Sequence, residues 1–232
     1  MANKKLSIII PVYNEEQTVG ELLDRLGAAN IPSGWEKEVI VIDDASQDGT
    51  RNILKRYEQV MRVIYCGKNG GKGTAVRHGI ENATGKYVLI QDADLEYDPA
   101  DISNLLLMLE NGTVDVVYGS RNLRPQPRRG DLIACAGVWF ITKLINLLYG
   151  LSLTDVWTCY KLFPHEAGDA FVAGRFESEL LFTATLARKG YRFAEVPISY
   201  APRGVAKGKK IRYRDGIQAI MLIVLDWLRN IY

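Results

Sequence analysis

Short apolar runs alternate with amphipathic stretches along the first half of the chain. Leu6–Pro11, Glu38–Ile42, Arg62–Tyr65, Tyr87–Ile90 and Val114–Tyr118 each read as a strand. The segments between them predict helices. The first opens at Asn14, with Gln17 three residues on as a capping box. Others are expected over Thr50–Gln59 and Thr74–Asn82. A further helix starts at Asp98-Pro99, with Pro at its first position, and closes at Asn111-Gly112. Uniformly apolar strands alternating with helices predict an α/β fold with a mostly parallel central sheet covered by helices on both faces.

The second half changes character. "RRGDLIACAGVWFITKLINLLYGLSL" is rich in aromatic and branched residues and poor in charge, and reads as one or two amphipathic helices. "TCYKLF" reads as a strand, Glu179–Lys189 as a helix ended by Gly190, Arg192–Ser199 as a strand and Asp215–Arg229 as a helix. No repeat or linker interrupts the pattern. The expectation is one domain over residues 1–232, with a strand–helix half to residue 120 and a more apolar half after it.

Charge refines this picture locally. The net charge is only +2, so the overall balance does not suggest nucleic acid. From Arg203 to Arg214, however, there are six basic residues and no acid, and Arg121, Arg124, Arg128 and Arg129 form a second basic group. Such patches suit phosphate or anionic lipid. Cys66, Cys135 and Cys159 are far apart and odd in number, which speaks against a disulfide framework or a zinc site and fits a reducing cytosol. The apolar stretch at the N-terminus is too short for a signal peptide. No run reaches the ~18 apolar residues of a membrane span.

In parallel α/β sheets, ligands bind beyond the carboxyl ends of the strands. The conspicuous polar residues collect there: Tyr13-Asn14-Glu15, Asp43-Asp44, Asp92–Glu96 and Ser120-Arg121. In an extended segment, Asp92, Asp94 and Glu96 would share a face and could converge on Mg²⁺ or Mn²⁺. The plainer alternative is a solvated acidic loop. Asp43 and Asp44 could accept hydrogen bonds from a base or ribose. No G-x-G-x-x-G follows the first strand, which counts against a nicotinamide or flavin enzyme. "GKNGGKGTA" does not fit the phosphate-loop pattern of nucleotide hydrolases. It is either a loop with positive φ angles or a backbone packed close to a nucleotide, with Lys72 nearby. His78 and His165 read as structural and surface residues; Cys159 could line the acceptor side, with a small core residue as the plainer reading.

The stretches "SIIIPVYNEEQTVGELL", "VIDDASQDGT", "KNGGKGTAVRHGI", "LIQDADLEYDP", "YGSR", "DVWTCYKLF" and "GRFESELLFTATLARKGYRFAEVPISYAPR" resemble family-2 glycosyltransferases of the GT-A fold. They look most like polyprenyl-phosphate (dolichol-phosphate) mannosyl- or glucosyltransferases, and the resemblance covers nearly the whole chain. It implies that Pro11, Tyr13, Glu15 and Asp43 hold the base and ribose. Asp92 and Asp94 would bind the metal and, through it, the diphosphate. Glu96 stands where mannosyl-type relatives often carry Gln, also a ligand. Arg121 would meet donor and acceptor phosphates, and Arg203 with Lys210 (or Lys209) would belong to a basic loop over the site. "AKGKKI" replaces the GESK-like loop of mannosyl-type synthases and looks more like bacterial or glucosyl-type relatives.

The implied reaction is inverting transfer of mannose or glucose from GDP-mannose or UDP-glucose to polyprenyl phosphate. A divalent ion would neutralise the leaving diphosphate. A phosphate acceptor is largely ionised at neutral pH and needs cations more than a base. A hydroxyl acceptor would need Glu177, Glu179 or Asp155 as base. A catalytically silent scaffold is the other alternative. Helices over Leu132–Leu151 and Asp215–Arg229, with Trp139, Tyr149 and Trp227, would lie on the cytoplasmic face of a membrane or form an oligomer, unless they belong to the core.

Overall fold

The computed structural model describes residues 4–124, 132–174, 177–202 and 213–230. The basic residues Arg128, Arg129, Arg203, Lys207, Lys209, Lys210 and Arg212 lie outside the described residues. The elements run β1 (Lys4–Val12), α1 (Val19–Ala28), β2 (Trp35–Asp43), α2 (Thr50–Leu54), β3 (Arg62–Tyr65), α3 (Lys72–Asn82), β4 (Tyr87–Ile90), α4 (Ile102–Glu110) and β5 (Val116–Ser120). Then come α5 (Leu132–Tyr149), β6 (Lys161–Pro164), α6 (Glu177–Arg188), β7 (Phe193–Pro197) and α7 (Tyr213–Arg229).

The seven strands form one sheet in the order β3-β2-β1-β4-β6-β5-β7. All neighbours are parallel except β6, which runs antiparallel to both β4 and β5. The sheet is therefore mostly parallel, as expected, with β6 as its antiparallel strand. β6 comes from the second half of the chain and lies between two strands of the first. Both halves thus share one sheet.

Alternation in β1 explains why its stretch from Ile8 to Val12 is apolar at every position. Leu6, Ile8, Ile10 and Val12 pack with Leu22, Leu23 and Leu26 of α1 and Leu105 and Leu106 of α4. Ile9 points the other way, toward Ala75, Val76 and Ile80 of α3 and the core beneath α6. With both faces covered, neither side of the strand meets water. The approach on the α3 side is close. A Cβ built on Gly79 would stand 2.3 Å from Ile9 Cγ2.

Two helices differ from expectation. α1 begins at Val19, and Asn14 is not its cap. Asn14 instead takes a left-handed φ of 53°. Its backbone N–H donates to Ser46 Oγ at 2.9 Å, and its Oδ1 accepts from Gln47 N at 2.8 Å. α2 ends at Leu54, and the chain then tightens into three-residue turns (Arg56 N to Ile53 O, Tyr57 N to Leu54 O). Asp98 does cap as expected, accepting from Ala100 N at 3.0 Å, but a short 3₁₀ turn, Pro99–Asp101, precedes α4. A second 3₁₀ turn, His165–Ala170, has no counterpart in the pattern. His165 is half-buried, not a surface residue, with Nε2 3.0 Å from Ile80 O.

α5 and α7 belong partly to the core. Ile141 and Ile145 of α5 and Ala219 and Ile223 of α7 are buried. The Tyr149 hydroxyl donates to Asp226 at 2.9 Å, and Arg188 of α6 pairs with the same carboxylate. The opposite sides are apolar and exposed: Trp139, Phe140 and Leu147 on α5, and Met221, Leu225 and Leu228 on α7. Trp227 is half-buried. Among the described residues, no helix is long and apolar enough to cross a membrane.

The α3–β1 contact yields a stability prediction. Gly79→Ala gains helix propensity, about 1 kcal/mol, but forces Ile9 off its packing, which costs typically 1–3 kcal/mol or more. Net destabilisation is expected, read as a lower midpoint in urea unfolding. An unchanged or raised midpoint would mean that α3 packs less tightly than this geometry.

Candidate active site

The loops after β1 and β2 are stitched together before any ligand arrives. Glu15 N donates to Thr50 Oγ1 at 2.9 Å, Glu16 N to Asp48 Oδ2 at 3.3 Å, and Gly49 N to Glu16 Oε2 at 2.7 Å. Thr18 Oγ1 reaches Glu15 Oε2 at 2.9 Å. Register does the rest. Pro11 lies opposite Ile42, and Val12 opposite Asp43. Because β4 reaches only Ile90 opposite Ile9, β1 projects past it. Pro11, Tyr13, Glu15, Asp43 and Asp44 therefore collect at one rim of the sheet, beside the crevice between β1 and β4 where the chain order reverses. Open α/β sheets bind ligands at such a point.

The acids along this rim are each engaged. Asp43, with no exposure, accepts from Arg51 Nε at 2.6 Å and from Ser46 N at 3.2 Å. Arg51 also donates to Cys66 O and lies over the Tyr65 ring. Asp44 accepts from Gly70 N and Gly71 N, each at 2.8 Å, through its two carboxylate oxygens. Its side chain therefore holds the glycine-rich loop. Gly71 has a φ of 88°, which glycine tolerates freely. That loop delivers Lys72, at the start of α3, into the site.

Lys72 Nζ lies 2.6 Å from Asp92 Oδ1, 2.8 Å from Glu179 Oε1 and 2.9 Å from Cys159 Sγ. Burial by itself would lower its pKa, but the charges of Asp92 and Glu179 outweigh that and hold it well above the usual value. Burial pushes the Cys159 thiol well up, so it sits there protonated. Behind them, Lys161 of β6 is fully buried and lies 3.4 Å from Glu179 Oε2. Desolvation lowers its pKa against the pull of Glu179.

The acidic stretch after β4 does not continue as a strand. The chain turns at Ala93-Asp94, and Leu95 takes a φ of 61°. The premise that residues two apart share a face therefore fails here. Asp94 Oδ1 accepts from Glu96 N at 3.2 Å. Glu96 accepts from the Tyr200 hydroxyl at 2.7 Å, and its carbonyl accepts from Ala201 N. Among the described residues, no three His, Cys, Asp or Glu side chains gather as a metal cage. Asp92 and Asp94 are nonetheless the hard oxygen donors that Mg²⁺ and Mn²⁺ prefer. Such ions usually bind through one or two carboxylates and complete their shell with water and phosphate oxygens. The donor chemistry fits on those terms.

On the far side stands Arg121, after β5. Its Nε and Nη2 donate to Asp155 Oδ2 and Oδ1 at 2.7 and 2.8 Å, and its backbone N–H adds a third bond at 3.1 Å. The guanidinium stacks over Tyr200, 5.1 Å from the ring centroid. Burial opposes its charge, but Tyr97 and Asp155 reverse this and raise its pKa well above the usual value. Asp155 is itself held by Glu195, whose Oε1 accepts its backbone N–H at 2.9 Å. Tyr97 bridges the two sides. It stacks on Tyr160, packs against Tyr200, and accepts from Cys159 N at 3.3 Å.

Sequence reasoning missed four of these residues: Arg51, Tyr97, Lys161 and Tyr200. Lys161 had a usable signal, a charge inside the short strand "TCYKLF". A lysine there must be buried, and a buried charge needs a partner.

Comparison with known proteins identifies the family and the fold. The family model for glycosyl transferase family 2 matches residues 7–167. The dodecaprenyl-phosphate galacturonate synthase of Rhizobium johnstonii is 31% identical over 163 residues, 68% of this chain and 47% of that protein. The undecaprenyl-phosphate 4-deoxy-4-formamido-L-arabinose transferase of Klebsiella pneumoniae is 28% identical over 212 residues, 89% of this chain and 62% of that one. The chain thus spans about half to two thirds of these relatives' length. Among solved structures, glucosyl-3-phosphoglycerate synthase of Mycobacterium tuberculosis, in complex with Mn²⁺, UDP and glucosyl-3-phosphoglycerate, superposes with a TM-score of 0.74. It is 19% identical, over 97% of this chain and 80% of that one. TarS of S. aureus, in complex with UDP-GlcNAc, gives 0.62 at 21% identity, over 95% of this chain and 66% of that one. These two likenesses establish the GT-A fold. With the family model covering more than half of its length, this chain belongs to glycosyl transferase family 2.

Proposed function

We propose that this chain transfers a sugar, with inversion, from a nucleoside-diphosphate sugar to polyprenyl phosphate at a membrane surface. The observation that carries the choice of acceptor is the state of the acids. Asp155 is fully buried and bound two-pronged by Arg121, and Glu179 is nearly buried between Lys72 and Lys161. Carboxylates committed in this way are poor bases for a hydroxyl acceptor. A phosphate monoester, with its second pKa about 6, needs no base. What it needs is positive charge in fixed positions, and the Arg121 plane, locked by Asp155, supplies one. Arg203 and Lys210 would add to it.

Pro11, Tyr13, Glu15 and Asp43 would hold the base and ribose at the β1–β2 rim. Asp92 and Asp94 would hold Mg²⁺ or Mn²⁺ with the diphosphate. A divalent ion there supplies Lewis-acid stabilisation of the leaving group. Lys72 is close enough to Asp92 to orient that carboxylate. Inversion follows from attack on the anomeric carbon opposite the departing diphosphate. Mannose or glucose is the expected sugar, but the relatives' names carry galacturonate and a formamido-arabinose. The donor panel should therefore include nucleotide-activated forms of all four.

The exposed apolar sides of α5 and α7 support peripheral attachment. Met221, Leu225 and Leu228 recur at i, i+4 and i+7, opposite the buried Ala219 and Ile223. With Phe140 and Leu147 of α5 they offer the apolar half of an interfacial anchor near a lipid acceptor.

A donor panel incubated with a short polyprenyl phosphate tests the acceptor. The expected product is a lipid-linked sugar, and EDTA should abolish its formation. Transfer only to a sugar or protein hydroxyl would replace this reading with the other one. Arg121→Lys keeps the charge but loses the planar fork. Its kcat/KM for the lipid phosphate should fall by about a hundredfold, roughly 2.7 kcal/mol of transition-state stabilisation. Full activity would remove Arg121 from the phosphate site. For the membrane, Leu147→Glu/Leu225→Glu should cut co-sedimentation with anionic vesicles by about tenfold or more, since each buried leucine contributes roughly 1.5–3 kcal/mol. Unchanged sedimentation would leave these faces to another role.

A further inference from the structure

Four charged side chains run in a line from the interior to the mouth of the site. Lys161 has no exposure, and its Nζ donates to Val156 O at 3.1 Å and to Thr158 O. It lies 3.4 Å from Glu179 Oε2. Glu179 Oε1 lies 2.8 Å from Lys72 Nζ, which lies 2.6 Å from Asp92 Oδ1. The charges alternate positive, negative, positive, negative. Side-chain exposure rises outward, from 0% at Lys161 through 3% and 12% to 17% at Asp92. Buried charges at such distances are weakly screened and act on one another strongly.

A divalent cation at Asp92 must share that carboxylate with Lys72. How strongly Lys72 holds Asp92 depends on how far Glu179 answers its charge. How far Glu179 can do so depends on Lys161. We propose that Glu179 and Lys161 are positioning residues that set, through Lys72, how tightly Asp92 holds a divalent cation. This rests on the metal-dependent reading above. Glu179 draws the Lys72 ammonium inward and leaves more of the Asp92 charge for the ion. Lys161 engages Glu179 from behind and works the other way.

The two effects therefore carry opposite signs, which a merely structural role would not produce. Loosening the site should weaken cation binding whichever residue is changed. Opposed charges at the two ends of one relay should weaken it in one case and strengthen it in the other.

The test is Mn²⁺ binding by electron paramagnetic resonance, without turnover, in the presence of UDP and separately of GDP. Glu179→Gln, which keeps the side-chain shape, should weaken binding by about three- to tenfold. Lys161→Met should tighten it severalfold. Lys72→Met/Glu179→Gln removes one charge of each sign and should return binding to the native level or beyond. That double variant, with Glu179→Gln, decides the matter even if Lys161→Met fails to fold. Native binding in Glu179→Gln, or a double variant no better than Glu179→Gln alone, overturns the relay. If Asp92→Asn binds Mn²⁺ like the native protein, or if the native protein binds none, the metal-dependent reading falls and the relay falls with it. If Asp92→Asn alone loses the ion, that reading stands and only the relay is lost.

Discussion

Acids cannot be crowded at one end of a sheet without cations or hydrogen-bond donors to meet them, and this requirement organises the whole rim. Asp43 has Arg51, Asp44 has two glycine N–H groups, Asp92 has Lys72, and Asp155, in the loop before β6, has Arg121. Unpaired, such groups would protonate or splay into water. Paired, they hold a fixed set of oxygens and nitrogens around the crevice between β1 and β4. Pre-set charge of this kind needs little reorganisation when a charged ligand arrives.

Topology places these pairs within reach of each other. The cation for Asp92 comes from α3, its second partner Glu179 from α6, and Lys161 from β6. Because β6 runs backwards between β4 and β5, it brings second-half residues directly behind a first-half site. The aromatic group of Tyr97, Tyr160 and Tyr200 then closes the space between the Lys72 side and the Arg121 side. Tyr200 serves twice, as donor to Glu96 and as a face for Arg121.

The second-half helices divide their surfaces between two tasks. α5 and α7 bury Ile141, Ile145, Ala219 and Ile223 in the core beside α6, and the Tyr149 hydroxyl donates to Asp226. Their outer sides keep large apolar residues, which is what a water-exposed helix avoids unless something covers them. The same helices thus contribute to the core on one face and carry an exposed apolar surface on the other.

Periodicity and turn chemistry alone determined most of the frame. β3 and β4 begin and end where the apolar runs do, Asp98 caps where a cap was expected, and the polar residues at strand ends collect at one rim of the sheet. Local signals failed where a distant group outbid a near one. Asn14 has the chemistry of a helix cap, yet it bonds across to Ser46 and Gln47, residues that only the parallel pairing of β1 and β2 brings near. The acids after β4 share no extended face because the chain turns at Ala93-Asp94, and Glu96 meets Tyr200, 104 residues away. The antiparallel direction of β6 and the partners of Lys161 were equally out of reach. Apolar alternation is a local property, set by the period of the backbone. The pairing of buried charges is set by which elements meet, and only the folded chain decides that.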